Sequence, residues 1–252
     1  MTNLTPPTKT AATMTMNSPQ SLTLLHRYAS EGEDLAVSTA HAELMREVGL
    51  KCIGFNGVPR TINCLGAFRN SLSDDVAKGL TKQPSRMPTS GNIEKSKTRG
   101  RRLWDSIYRP FEGKLIRRLA DSHPDLPVHI LNSEYSLLFA DPPASTTTSD
   151  GRGSVRGQNV GRFATSLVAV ACLRAQTGVG PQVTSHLFGL RKAFEDGSWR
   201  EGEGEEPLDE EGARWLISDE GSVWVLESVD AIVGAIGEGM GSSFAPPIRA
   251  KL

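Results

Sequence analysis

Residues 160–197 read VGRFATSLVAVACLRAQTGVGPQVTSHLFGLRKAFEDG. The first part, 160–176, is apolar on most faces of a helix, which predicts a helix enclosed on all sides rather than one lying on a surface. Gly178 and Gly180 break the pattern, and Pro181 suits the first turn of a new helix. In that second helix Val183, Leu187, Leu190 and Phe194 fall on one face. The pair predicts a helical hairpin at the centre of the domain. Strand-like alternation is scarce elsewhere, so the expected fold class is all-α.

Outward from this hairpin the same periodicity recurs. Residues 35–50 read as a helix that breaks near Gly54 and Gly57, and Pro59 opens a second one running to about Leu72. Residues 79–98 read as a loop. In 101–120, Leu103, Ile107, Phe111, Leu115 and Leu119 recur every four residues, which predicts one amphipathic helix. Pro124 opens another that reaches Phe139. Loops are expected at 141–157 and at the acidic run 201–211. A last helix is expected over 224–240, where Leu226, Val229, Val233, Ile236 and Met240 form a seam that offers an apolar face to a homodimer. Residues 1–20 are rich in Thr, Pro and Ser and read as disordered. The body is then 21–244, and 245–252 reads as an exposed tail behind Pro246-Pro247.

Composition narrows the classes. At 252 residues the chain makes one domain or two small ones. Hydrophobic content of 38% is low for a compact domain, so some segments are expected to be unstructured. A formal net charge of -1 gives no sign of a nucleic-acid partner. No apolar run is long enough to span a bilayer. The three cysteines, Cys52, Cys64 and Cys172, form no C-x-x-C pair, which predicts reduced thiols and neither a disulfide framework nor a zinc site. The closing tripeptide Ala250-Lys251-Leu252 resembles the Ser-Lys-Leu address read by the peroxisomal import receptor, so a peroxisomal matrix location is expected.

Two segments look alike. With one gap after Arg60, residues 57–69 align with 178–191, placing Cys64 opposite His186, Leu65 opposite Leu187 and Arg69 opposite Arg191. Each is a helix with Pro near its start and another helix before it. They read as two similar helical hairpins packed together, alike by duplication or by chance.

The stretch SLVAVACLRAQTGVGPQVTSHLFGLRKAFEDG resembles the carboxymuconolactone decarboxylase family of the alkylhydroperoxidase D-like (AhpD-like) superfamily. The shared pattern is an apolar helix, a Gly-containing turn, and a helix carrying a His. Pro124-Asp125-Leu126 through Glu134-Tyr135 is similar to the family's lead-in helix, so the resemblance spans about 100–197. A fungal peroxisomal branch of the superfamily joins such a domain to a targeting tripeptide, and the chain is similar to it. The resemblance implies an all-α, oligomeric, cofactor-independent protein with its site near His186. It further implies proton transfer at carbon on a small organic acid or lactone, with loss of carbon dioxide. The C-x-x-C positions of the peroxidase branch hold Val179 and Gln182, so disulfide-based peroxide reduction is not expected. Thr165-Ser166-Leu167 stands where the decarboxylase branch carries an Arg-Glu-Leu-like step.

The candidate residues each have a functional and a bland reading. His186 is a general acid or base, or a hydrogen-bonded core histidine. Tyr135 and Glu134 donate a proton or orient His186, or are a half-buried ring and a surface carboxylate. Cys64 is a nucleophile or a small packing residue. Arg162 and Arg191 hold a substrate carboxylate, or are solvated. The alternative at the level of the whole chain is a non-catalytic protein that retains the fold for ligand binding or assembly. No metal or other cofactor is called for.

Overall fold

The computed structural model describes residues 5–142, 159–176, 178–200 and 210–237. The acidic run up to residue 209, most of the 141–157 loop, Met240 and the tripeptide Ala250-Lys251-Leu252 lie outside them. All regular structure among the described residues is helical. In chain order the helices are α1 (Pro6–Thr15), α2 (Pro19–Ala29), α3 (Leu35–Lys51), α4 (Ile53–Asn56), α5 (Val58–Ser71), α6 (Asp74–Gly79), α7 (Ile93–Tyr108), α8 (Glu112–Ser122) and α9 (Asp125–His129). A π-helix (Ile130–Phe139) continues α9, and α10 (Arg162–Arg174), α11 (Gly180–Glu195), a short 3-10 helix (Ser198–Arg200), α12 (Glu210–Leu216) and α13 (Asp219–Ile236) complete the set.

As its apolar run requires, α10 is the axis of the molecule. Its residues from Arg162 to Leu173 are buried almost without exception, against α11 on one side and α1 and α13 on the other. The expectation of disorder over 1–20 is overturned from Thr5 onward. Helix α1 lies in the core, with Ala11, Ala12 and Met14 fully buried and α3, α5, α10 and α13 around it. The polar composition misleads because three of the four helical threonines satisfy their hydroxyls locally, Thr10 Oγ1 being buried without a partner among the described residues. Thr13 Oγ1 donates to the Lys9 carbonyl and Thr15 Oγ1 to the Ala11 carbonyl, both at 2.8 Å. Thr8 and Thr5 hydroxyls meet at 2.8 Å. With its hydroxyls turned back on the helix, a Thr/Ala surface is short and effectively apolar, so neighbouring helices approach closely. Pro6 and Pro7 sit in the first turn, where a missing N–H costs nothing.

One further expectation is corrected. The 101–120 helix is interrupted at Pro110, which cannot donate to the helix ladder; α7 starts upstream at Ile93, and Phe111, placed by the pattern on the buried face, is 65% exposed. The two hairpins share one core, in which Val48, Cys52, Cys64 and Phe68 cluster with Val168, Ala171 and Cys172; α4 meets α10 directly and α1 packs against both hairpins. Of the seam on the last helix, Val229 is in that core with Val233 packed against it, and Leu226 packs on the cluster around Leu167 and Leu190. That helix starts earlier than expected, at Asp219, because Ser218 caps it, accepting from Gly221 N at 3.0 Å.

A buried ionic chain ties the two halves together. The fully buried Lys51 Nζ, at the end of α3, sits 2.8 Å from Asp141 Oδ1 and 4.0 Å from Glu47 Oε1, and donates to the Phe139 carbonyl. Glu47 in turn pairs with Arg86. Asp141 accepts from Gly161 N at 2.7 Å, so its carboxylate stands at the N-terminus of α10, where the helix dipole favours a negative charge.

Candidate functional site

The histidine of α11 closes a circle of rings. His186 meets Phe55 of α4 edge-on at 6.2 Å and Tyr108 of α7 at 6.2 Å. Phe55 stacks on Phe139 at 5.0 Å, Phe139 meets Tyr135 at 5.3 Å, and Tyr135 returns to Tyr108, its hydroxyl donating to that of Tyr108 at 3.1 Å. Trp104 packs on both tyrosines. Helix α7 can come this near the π-helix because Gly100 has no side chain: a Cβ there would stand 2.6 Å from Ser136 Cα. The π-helix register is visible in Ala140 N–H, which donates to the Tyr135 carbonyl five residues back at 3.1 Å.

Burial decides the electrostatics of the circle. His186 is 6% exposed, and burial first, then the charge of Arg162, lowers its pKa to about 3, so the imidazole is neutral. Its Nδ1 is buried without a hydrogen-bond partner among the described residues, as is Trp104 Nε1. Burial likewise raises the Tyr135 phenol well above its ordinary value, with Tyr108 adding to the effect, and keeps it protonated.

Arg162 joins the circle to an open cleft. Its Nε donates to Ser106 Oγ at 2.8 Å, Nη1 to Ser166 Oγ at 2.5 Å, and Nη2 to the Gly189 carbonyl at 3.0 Å, which clamps α10 to α7 and α11. The cleft has a volume of about 770 Å3 and shares Arg162 and Phe139 with the circle; its other lining cations are Arg99, Arg102, Arg109 and Lys192. Lys192 donates to the Ile107 carbonyl at 3.0 Å, and burial followed by the Arg162 charge lowers its pKa. Two of the lining acids are already matched: Asp105 lies 2.8 Å from Arg101, and Asp141 is held by Lys51. Glu195 and Asp196 line the cleft where α11 ends. The helix rise of about 1.5 Å per residue sets Arg99 about 10 Å from Ser106 along α7, so the cations extend along one wall.

Of the sequence candidates, the structure brings together His186, Tyr135 and Arg162, and separates the rest. Glu134 turns to His129, 3.4 Å away, and its other oxygen lies against Gly54. Arg191 pairs with Asp219 and fastens α11 to the start of α13, away from the cleft lining. Cys64 is buried on α5 near Asn17, and burial pushes its thiol up to about 11, so it is no thiolate at neutral pH. Sequence reasoning missed Tyr108, Ser106, Arg99, Arg102 and Lys192. The available signal was the spacing of Arg99, Arg102, Ser106 and Arg109, which share one helix face. Among the described residues no helix is long and apolar enough to cross a membrane. Comparison with family models, curated proteins and solved structures finds no match to this chain.

Proposed function

We propose that the protein binds a small organic acid in the cleft between α7, α10 and α11. The observation that carries this reading is the cleft itself: Arg99, Arg102, Arg109, Arg162 and Lys192 converge on a space of about 770 Å3 that also presents Leu103, Pro110 and Phe139. A site of that size with a few fixed polar groups and an apolar remainder is the usual setting of a small-molecule ligand. The pre-positioned guanidinium of Arg162 offers a carboxylate a charge that costs no reordering on binding. Calorimetric titration with a panel of mono- and dicarboxylic acids and their lactones tests it. Arg99→Ala and Lys192→Ala each weaken binding of the best ligand about tenfold or more; unchanged affinity in both, or no carboxylate bound at millimolar concentration, refutes it.

Catalysis at the neighbouring His186 is the second reading. It is favoured by the buried, unpartnered Nδ1, which accepts a proton in the Nε2–H tautomer of the neutral imidazole. In this reading the chain is an AhpD-like, carboxymuconolactone decarboxylase-like enzyme that moves a proton at carbon, with Arg162 fixing the substrate carboxylate. A base with a pKa near 3 is weak, so this chemistry needs a substrate whose own charge raises it. His186→Ala then abolishes turnover and spares binding; retained turnover ends the catalytic reading and leaves the binding one standing. Residues Ala250-Lys251-Leu252 support delivery to peroxisomes. A fluorescent reporter ending in residues 245–252 moves to peroxisomes, and one lacking the last three stays in the cytosol; a diffuse signal from both overturns the address.

A further inference from the structure

Three cysteines are buried, and two of them are in contact. Cys52 stands at the junction of α3 and α4, Cys172 on α10, and each is fully buried. Cys172 Sγ lies 3.5 Å from Cys52 Sγ, 120 residues away along the chain. Nothing charged separates them; Asn56 Nδ2 and the Ala11 carbonyl each approach Cys172 Sγ at 3.9 Å. Cys64 sits apart, at 3.7 Å from Asn17 Oδ1.

We propose that Cys52 and Cys172 are a site of disulfide formation, oxidised by a low-molecular-weight disulfide when α1 opens. Closing a 3.5 Å contact to a sulfur–sulfur bond of about 2.05 Å asks for a movement smaller than a rotamer change in either side chain. Access is governed by α1, whose Ala11 covers Cys172. That helix has no side-chain hydrogen bond at its N-cap and no acid in its first turn, and four of its ten residues are threonine. Its stability therefore comes from packing against α3, α5, α10 and α13 and not from its cap, so the pair is reached only when α1 lifts off that core. Once it lifts, one deprotonated thiol attacks a sulfur of R–S–S–R and expels R–S−, which takes up a proton. The second thiol gives its proton to solvent, attacks the protein sulfur of the mixed disulfide and expels the second R–S−. Two protein thiols lose two electrons and two protons, and R–S–S–R becomes two R–SH. The product fastens the α3–α4 junction to α10 directly, without help from α1.

The test uses the full chain in oxidised glutathione, quenched with acid, denatured and alkylated, with intact-mass and peptide mapping. Alkylatable thiols fall from three to one, Cys64, and the peptides of Cys52 and Cys172 are recovered as one linked species. Cys64→Ser still forms the link. Loosening α1 with Met14→Ala speeds the reaction threefold or more. Three alkylatable thiols after prolonged oxidation, a link involving Cys64, or mixed disulfides alone overturn the proposal. The wild-type map decides the matter even where Cys52→Ser or Cys172→Ser does not fold.

Discussion

At the scale of single residues, His186 shows how position overrides chemical identity. An imidazole on a solvated helix is half-charged near pH 6.5. Enclosed by Phe55 and Tyr108, with Arg162 near, it stays neutral down to about 3. In the unfolded chain the same group binds a proton at its ordinary pKa, so between pH 6.5 and about 3 the unfolded state holds the extra proton. Stability from this residue is complete above pH 6.5 and is lost as pH falls through that window, by about 2 kcal/mol at pH 5. Urea denaturation of His186→Phe at pH 7 and pH 5 should show a smaller acid loss than wild type by about that amount. An equal loss in both proteins would mean that His186 is charged or solvated in the folded state. The site was partly legible at this scale. His186, Tyr135 and Arg162 stood out because their residue types carry chemistry. The ring of Tyr108 that joins them did not, because only packing brings α7 between α11 and the π-helix.

At the scale of elements, α10 and α1 are opposite lessons in the same core. The apolar run of α10 announces its burial in one dimension. The burial of α1 depends on threonine hydroxyls bonding back to Lys9 and Ala11, a local geometry that composition hides. Likewise Arg99 escaped notice because a helix counted from 101 leaves it outside, whereas α7 begins at Ile93. Periodicity sees apolar faces, and the first turns of α7 have almost none. The role of α1 has a direct measure. Met14 is fully buried near its C-terminal end, and Met14→Ala should cost about 2–5 kcal/mol in urea denaturation. A disordered segment would lose nothing by the same change, so a cost below about 0.5 kcal/mol would remove α1 from the core.

At the scale of the whole molecule, the ionic chain from Arg86 through Glu47 and Lys51 to Asp141 is where the N-terminal helices grip the C-terminal ones. Lys51 has no solvent exposure, so Lys51→Met leaves the Asp141 carboxylate without its charge partner and should destabilise the protein by about 3–5 kcal/mol. Adding Asp141→Asn should recover part of that loss, and a second change that only adds to the first would show that the pair does not act as a unit. The central place of α1 reaches beyond stability, into the timing of synthesis. Ala11 and its neighbour Cys172 are 161 residues apart. At roughly 5–20 residues per second on a ribosome, α1 waits about 10–30 seconds for the helix it packs against to be made. For that interval α1 has α2, α3 and α5 beside it, but the side that meets α10 and α13 has no partner. The centre of the core therefore closes late, and α1 is a segment that needs cover while the rest of the chain is being completed.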